Sequence, residues 1–325
     1  MKLIQDNGQP NFGRFLQAPT AFNIQDYRNP FLTANWQRKL RYKKFGFMAV
    51  QHQHYSIGFA IVDLAWVGHG FYYCYDRKTT QCIQYDAIQP LAHNTQLNAI
   101  SEHNAQNFFQ HRQLQIDVRQ GEDYRKVKIT HKNKILCELR IDSTFGQPLY
   151  MCSPTGVRGW TFTHKSMALP IQGYFYVGDE RIELDETSLA SLDDSCGFLR
   201  PETEWFWLSS QNIIDGKKIA MNIASGVNES CGNENCLWVD GQLHALPDII
   251  FQSLDAETWR IYSLDGQVEL LAKTTWRRHE NRNFGFAASQ FSQWVSTISG
   301  RITIASEVHY FQENNALLEQ HYAKW

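Results

Sequence analysis

Residues 113–119 read Gln-Leu-Gln-Ile-Asp-Val-Arg, and this alternation of polar and apolar side chains decides the fold class. Successive side chains of an extended strand point to opposite faces, so Leu114, Ile116 and Val118 share one buried face. The same period of two recurs in segments that begin at Cys137, Ile171, Trp259 and Ile302. Because a helix would need a period of 3.6, the pattern predicts antiparallel strands with one solvated face.

Turn signals separate these strands. Asp-Gly stands between strand-like runs at 240–241 and again at 265–266. This dipeptide favours a type I′ hairpin, whose two central residues both need a positive φ. Gly178-Asp179 and Lys132-Asn133 are two further hairpin candidates. Many short strands joined by hairpins, without βαβ alternation, predict a barrel or a sandwich rather than a parallel sheet.

Helical periodicity is scarce. A short helix is expected to open at Asn29-Pro30, where proline suits the first helical position, and one or two turns are expected over 186–192. The best helical candidate is 312–323, at the end of the sequence. The polar segment 89–110, which is rich in Asn, Gln and His, is predicted to be a long loop.

The length of 325 residues suffices for two domains with sizeable cores. The boundary is predicted near 165–170, which gives an N-terminal barrel over 1–167 and a C-terminal barrel with a terminal helix over 168–325. Since no Gly- or Ser-rich linker marks this seam, the two halves are expected to pack tightly.

Charge and composition exclude several classes of protein. Lys and Arg number 31 against 33 Asp and Glu, so the net charge of −2 lacks the basic excess of a nucleic-acid-binding protein. The first residues carry no apolar signal-peptide core, and no stretch approaches the roughly 20 apolar residues of a membrane span. Seven cysteines are too sparse for a disulfide scaffold. We therefore predict a cytoplasmic protein that neither spans a membrane nor binds nucleic acid, with its oligomeric state left open.

Aromatic residues are abundant, with 10 Trp, 14 Tyr and 20 Phe. They either fill a β-rich core or line an apolar cavity. The sequence contains no Gly-x-Gly-x-x-Gly, Walker, Gly-x-Ser-x-Gly or His-Glu-x-x-His motif, so no nucleotide or metal cofactor is expected. His52 and His54 share a strand face, but no third metal ligand can be identified beside them.

The densest group of chemically capable residues lies at 193–207. Asp193 and Asp194 precede Trp205 and Trp207, which share one face of a strand. A carboxylate desolvated beside two indoles has a raised pKa, which suits a general acid or base. The alternative is that the aspartates form a turn or cap and the indoles fill the core.

Two further groups are candidate ligand contacts. Asn222 lies mid-strand among apolar residues, and a buried amide without partners costs about 1–3 kcal/mol, so it either contacts a ligand or anchors a loop. Glu234 and Asn235 precede the first Asp-Gly hairpin and have the same two interpretations. His164, beside Lys165, can exchange a proton near neutral pH or can be a satisfied structural residue.

The run from Asp193 to Gly241 resembles the family known as domain of unknown function 2804. The family pattern is Leu-Asp, a small polar residue, Gly, Thr-x-Trp-aromatic-Trp, a strand ending in Asn, Glu-Asn and Val-Asp-Gly. The matching residues here are Leu192-Asp193, Ser195, Gly197, Thr203, Trp205-Phe206-Trp207, Asn222, Glu234-Asn235 and Val239-Asp240-Gly241. Flanking matches are Asn29-Pro30, Thr163, Lys165, Asn283, Ser289 and Gln293, so the resemblance spans most of the chain.

One position departs from the family pattern. The residue after the motif aspartate is commonly aromatic, but here it is Asp194. Adjacent side chains of a strand point to different faces, so only one of the two carboxylates can enter a given pocket. The motif selects Asp193.

The family is similar to a wider group of paired lipocalin-like barrels, which includes carotenoid hydratase-like proteins, AttH-like proteins and fungal cyclases. This resemblance implies an all-β protein of two lipocalin-like antiparallel barrels packed together, with few short helices, a pocket for a small apolar molecule and no cofactor. We predict Asp193 as the catalytic group and, as ligand contacts, Trp205, Trp207, Asn222, Glu234, Asn235, His164 and Lys165.

Three functions stay open. The first is a hydratase, isomerase or cyclase in which Asp193 transfers a proton, Trp205 and Trp207 shape the substrate and Asn222 orients it. The second is a carrier that holds a lipid- or isoprenoid-like molecule in the same cavity without chemistry. The third is an interaction protein whose barrels are filled.

Overall fold

The computed structural model describes residues 1–98, 105–156, 158–227, 232–283, 285 and 287–324. The chain divides into two compact units, Met1–Leu199 and Arg200–Trp325. Each unit is built almost entirely from antiparallel strands. Within the ranges given above, no helix is long and apolar enough to cross a membrane.

Among its described residues, the N-terminal unit holds a 3₁₀ turn (Ile24–Asp26), one helix, α1 (Asn35–Arg41), and the first fourteen strands. These strands are β1 (Gly13–Phe15), β2 (Lys43–Gln51), β3 (Tyr55–Asp63), β4 (Val67–Asp76), β5 (Cys82–Pro90), β6 (Thr95–Gln96), β7 (Gln106–Gln110), β8 (Leu114–Gln120), β9 (Tyr124–His131), β10 (Lys134–Asp142), β11 (Leu149–Thr155), β12 (Gly159–Val177), β13 (Glu180–Glu183) and β14 (Leu189–Phe198).

The strands of this unit form one sheet in the order β5-β4-β3-β2-β14-β12-β10-β9-β8-β7-β6, and β11 and β13 pair with β12 outside that order. The first half of β12 pairs with β11 and β14, and its second half pairs with β10. A bulge between Ser166 and Leu169, with Ala168 at a φ of 55°, bends β12 between the halves. The sheet therefore curls into a half-barrel.

The curl brings strands together that are distant in the sheet order. A Cβ on Gly70 of β4 would lie 2.4 Å from the ring of Phe109 on β7, so only glycine fits there. A large apolar cluster inside the curl includes Val50, Phe59 and Leu192. A second apolar cluster, around Trp160 and Phe198, packs against the N-terminal segment of the unit.

The C-terminal unit contains the remaining nine strands of the structure's described ranges. They are β15 (Glu202–Ile214), β16 (Lys217–Ser225), β17 (Cys236–Val239), β18 (Gln242–Ala245), β19 (Ile250–Ser253), β20 (Thr258–Tyr262), β21 (Val268–Asn283), β22 (Ala288–Ile304) and β23 (Glu307–Lys324). Their order is β18-β17-β16-β15-β23-β22-β21-β20-β19, and this sheet also curls into a half-barrel around its own apolar cluster.

The predicted all-β class is confirmed, and each of the five segments with period two lies in a strand. The hairpin turns at Lys132-Asn133 and Asp240-Gly241 have positive φ at both central residues, as a type I′ turn requires. At 265–266 only Gly266 has a positive φ, and a longer connection from Ser263 to Gln267 joins β20 to β21. The predicted type I′ geometry is therefore wrong at this second Asp-Gly pair.

The predicted helices are wrong. The segment 312–323 lies in β23, which has hydrogen-bonded neighbours on both sides, and its consecutive residues Ala316, Leu317 and Leu318 are buried, so both strand faces are covered there. Burial between two strands outweighs the weak helical preference of this segment. Asn29 begins a turn, and its side-chain oxygen accepts a hydrogen bond from the backbone N–H of Phe31. Most of the 186–192 segment belongs to β14.

The structure also differs from the predicted loop over 89–110 and from the predicted domain boundary. The polar segment 89–110 contains two short strands, β6 and β7, and residues 99–104 lie outside the described ranges. The domain boundary predicted between 167 and 168 falls inside β12, because that strand continues from one half of the sheet into the other.

Candidate functional site

A layer of polar side chains interrupts the apolar interior of the N-terminal unit. Along the inner face of β14, Leu192 belongs to one apolar cluster, Phe198 belongs to the other, and Asp194 lies between them. The inner face of β12 has the same order of apolar and polar side chains. His164 and Ser166 lie between its two apolar ends. Charged and polar groups in such a position need partners, since burying a lone charge is very costly.

Arg125 supplies the main partner. Its Nη2 donates to Asp194 Oδ2 at 2.6 Å, and its Nε donates to Gln120 Oε1 at 2.6 Å. The Arg125 and Asp194 side chains are only 5% and 8% exposed, so this ion pair is buried. The side chains of Arg125, Val127 and Ile129 lie on the same face of β9. Val127 and Ile129 are in the core, which explains why Arg125 also points inward.

His164 completes the cluster. It lies directly opposite Asp194 in the pairing of β12 with β14, and its Nδ1 is 3.3 Å from Asp194 Oδ2. Its Nε2 is 2.9 Å from Ser166 Oγ, and the Tyr150 ring stacks on the imidazole at 4.8 Å between centroids. A carboxylate only accepts hydrogen bonds, so Nδ1 carries the proton and Nε2 accepts from the Ser166 hydroxyl.

Burial and charge set the protonation of this cluster. Burial alone would raise the pKa of Asp194, but Arg125 and His164 outweigh it and hold that pKa well below its usual range. Burial lowers the pKa of His164, and the neighbouring Asp194 offsets only part of that effect. At neutral pH the cluster therefore contains an ionised aspartate, a charged arginine and a neutral histidine.

The Asp194–Arg125 pair borders a cavity of about 230 Å³. Its lining contains apolar and aromatic side chains and polar or charged ones in equal number. The lining residues are Phe22, Ile24, Tyr42, Lys44, Phe45, Leu97, Asn98, Ala105, Asn107, Gln120, Arg125, Asp194, Ser195 and Cys196.

Gly46 keeps space open beside Asp194. It lies opposite Asp194 in the pairing of β2 with β14. A Cβ at this position would lie 3.2 Å from Asp194 Oδ1 and 3.3 Å from Leu97 Cδ2. Any larger side chain would have to extend into the space between these two lining residues.

Asp193, the acid–base group selected from the sequence, lies on the opposite face of β14. Lys165 is its direct cross-strand neighbour, and the Lys165 Nζ is 2.5 Å from Asp193 Oδ2. Both side chains are largely buried, at 6% and 19% exposure for Lys165 and Asp193. The structure thus brings the predicted residues Asp193 and Lys165 together, while Asp194 lines the cavity described above.

The other predicted contacts belong to the C-terminal unit. Trp207 Nε1 donates to Asn222 Oδ1 at 2.7 Å, and Asn222 Nδ2 donates to the Glu234 carbonyl at 3.1 Å. Asn235 accepts the Ala224 N–H at 2.7 Å through its side-chain oxygen. Asn222 and Asn235 therefore tie the segment before β17 to β16, which is the loop-anchoring interpretation of these amides.

Trp205 contacts a different group of residues. Its Nε1 donates to Glu319 Oε1 at 2.8 Å, and Gln293 Nε2 donates to the other oxygen of Glu319 at 2.9 Å. The His321 ring lies 4.2 Å from Trp205, and its Nε2 is 2.9 Å from Ser289 Oγ. Burial, reinforced by the charge of Arg278, lowers the pKa of His321 to about 3. These residues make a second buried polar group, on the sheet face opposite the C-terminal core.

Sequence reasoning missed Arg125, Glu319 and His321. Arg125 left one signal, since it occupies an inward position of a strand whose next inward positions are valine and isoleucine. Glu319 and His321 alternate with period two, but the segment was predicted to be helical.

A family model described as "Domain of unknown function (DUF2804)" matches residues 3–325 of this sequence. No curated protein matches the sequence.

Solved structures share the fold at low sequence identity. A protein provisionally described as AttH from Nitrosomonas europaea has 12% identity and a TM-score of 0.54, with 91% of this chain and 96% of that chain covered. CghA with Sch210972 has 8% identity and a TM-score of 0.51, with 87% and 88% covered. Kievitone hydratase from Nectria haematococca has 11% identity and a TM-score of 0.47, with 86% and 88% covered. The predicted lipocalin-like fold is confirmed.

Proposed function

The chain belongs to the family described as domain of unknown function DUF2804, and from this premise we propose that it binds a small, largely apolar molecule inside its N-terminal half-barrel. The observation that carries this proposal is the cavity of about 230 Å³ beside the buried Arg125–Asp194 pair. The cavity weighs against the alternative that this barrel is filled.

The composition of the cavity wall supports a ligand with a large apolar part. Phe22, Ile24, Phe45 and Leu97 offer apolar surface, and the polar lining residues include the ion pair of Arg125 and Asp194. Apolar surface beside polar groups that fix the orientation of a ligand is typical of sites that bind small molecules. One of the structures with the same fold was solved with a small molecule, Sch210972, which is compatible with this use of the fold.

A cytoplasmic location fits the proposal. Four of the described cysteines, Cys74, Cys137, Cys152 and Cys196, are free thiols. Free thiols are usual in a reducing compartment, where disulfides rarely persist.

Filling the cavity tests the proposal. We expect Gly46→Leu to abolish binding of the neutral fluorescent probe N-phenyl-1-naphthylamine, because the new side chain extends between Asp194 and Leu97. Fluorescence titration measures the binding, and circular dichroism checks that the fold is kept. Organic extracts of both proteins, compared by mass spectrometry, should contain a small apolar molecule only for the native chain.

The matched control is Gln115→Leu, which adds the same side chain on the exposed face of β8. It should bind the probe as the native chain does. Equal probe binding by Gly46→Leu and the native chain would contradict the proposal.

A cofactor-independent enzyme is the second candidate function. It is favoured by the neutral His164, which is held between the Asp194 carboxylate and the Ser166 hydroxyl. A neutral imidazole oriented by a carboxylate can accept and return a proton, which is what hydration, isomerisation or cyclisation requires. Asp193, whose Oδ2 lies 2.5 Å from the Lys165 Nζ, is the further candidate that the sequence motif selected.

Turnover of the extracted molecule separates enzyme from carrier. The native chain, His164→Gln and Asp193→Asn are incubated with that molecule, and products are followed by mass spectrometry. Conversion by the native chain that is lost in either variant, with uptake retained, supports the enzyme. Uptake without conversion by the native chain supports the carrier.

A further inference from the structure

One N–H group of the Arg125 guanidinium, Nη1, donates no hydrogen bond to the described residues. Its Nε and Nη2 donate to Gln120 and Asp194, but Nη1 is buried and has no acceptor within hydrogen-bond distance among the described residues. The side chain lines the cavity. An unmade hydrogen bond from a buried charged donor is costly, so an oxygen placed in the cavity beside Nη1 would be favoured.

The charges around the cavity are already balanced. Asp194 neutralises Arg125, and Asp63 Oδ2 lies 2.7 Å from the Nζ of Lys44, the other cationic lining residue within the described ranges. Lys44 also donates to the Leu97 carbonyl at 2.9 Å. A carboxylate or phosphate would therefore bring an unpaired negative charge next to Asp194, at a distance where like charges repel strongly.

We propose that the bound molecule is neutral and carries a carbonyl oxygen that accepts a hydrogen bond from Arg125 Nη1, with its apolar body against Phe22, Ile24 and Phe45. This inference rests on the proposed function and names the chemical class of its ligand. A pure hydrocarbon would leave Nη1 unsatisfied, and an anion would upset the charge balance.

Three probes of one shape test this class. They are 2-acetylnaphthalene, a neutral ketone; 2-ethylnaphthalene, a hydrocarbon; and 2-naphthoate, an anion. Each competes with N-phenyl-1-naphthylamine for the native chain. We expect the ketone to bind about tenfold more tightly than the hydrocarbon, as one added hydrogen bond to a charged donor allows, and more tightly than the anion.

A paired variant assigns the preference to Arg125. Replacing Arg125 alone would leave Asp194 buried without its counter-charge, so Arg125→Met is combined with Asp194→Asn. The double variant should bind ketone and hydrocarbon equally. Arg119→Met, which removes an exposed arginine from the neighbouring strand β8, should keep the native preference.

The outcomes separate the inference from the proposed function. Equal binding of ketone and hydrocarbon by the native chain, or tightest binding of the anion, overturns the inference and leaves cavity binding in place. No binding of N-phenyl-1-naphthylamine overturns the proposed function and the inference together. If the double variant does not fold, the ranking of the three probes on the native chain decides alone.

Discussion

Asp193 and Asp194 are adjacent in the sequence but have different surroundings, because a strand sends successive side chains to opposite faces. Asp193 pairs with Lys165 on one face, and Asp194 pairs with Arg125 and His164 on the other. The sequence motif selected Asp193, and its catalytic role stays a prediction. The partners of Asp194 could not be predicted, since Arg125 is 69 residues away and meets it only in the folded sheet.

The Arg125–Asp194 pair is expected to contribute strongly to stability through the cost of breaking it. Asp194→Asn or Arg125→Met alone should lower the free energy of unfolding of the N-terminal unit by about 3–5 kcal/mol, because each leaves a buried charge without its partner. Urea denaturation followed by circular dichroism measures this. The double variant should lose less than the two single losses combined, and strictly additive losses would contradict a coupled pair.

His321 is expected to make stability depend on pH. Its folded-state pKa of about 3 lies below the ordinary value of 6.5, so its stabilising contribution is complete above about pH 6.5 and is lost as the pH falls toward 3. Within that window the unfolded chain holds one more proton, and stability should fall by about 1.4 kcal/mol per pH unit.

His321→Gln removes one titrating group and should make the pH dependence of the thermal midpoint between pH 6.5 and 4 less steep, while the buried His164 still contributes. His93→Gln, at an exposed turn position, is the control and should leave the profile unchanged. An unchanged profile in His321→Gln would show that other groups cause the dependence.

At the scale of elements, β23 shows how pairing overrides local preference. The segment 312–323 carries several helix-favouring residues, yet β23 lies between β15 and β22 and forms ladders with both. Consecutive residues of β23 at 316–318 are buried, so both faces of the strand are covered there and the period of two is hidden. Strands with one wet face, such as β8 and β10, were predicted correctly because their alternation survives.

The pairing of β10 with β12 depends on Gly173. Its φ is 122°, and a Cβ there would lie 2.1 Å from the Glu138 carbonyl oxygen of β10. Gly173→Ala should therefore lower the free energy of unfolding by at least about 1–3 kcal/mol, the cost of the strained backbone alone. The backbone clash adds to that loss.

Gly216→Ala is the matched control for this substitution. Gly216 also has a positive φ, of 77°, but no atom lies within 4 Å of the position its Cβ would take. Denaturation curves of the two variants should show a clearly larger loss for Gly173→Ala. Equal losses would mean that the close approach of β10 contributes nothing.

At the scale of the whole molecule, the two units differ in what the structure describes inside them. The N-terminal half-barrel has a buried charged layer and a cavity between two apolar clusters. The C-terminal half-barrel has a continuous apolar core, and its polar group with Trp205 and Glu319 lies on the opposite sheet face. The ligand proposal therefore concerns the N-terminal unit, whereas most of the contacts predicted from the sequence lie in the C-terminal unit.

The sequence by itself determined the all-β class, most of the hairpins and the family, because these depend on alternation, on turn residues and on spacing along the chain. Only the tertiary structure decided where the polar layer lies, that Arg125 faces Asp194, and that β12 continues through the expected domain boundary. The physical reason is range: side-chain alternation and turn geometry act between neighbours in sequence, whereas burial and charge pairing depend on which strands the curled sheet brings together.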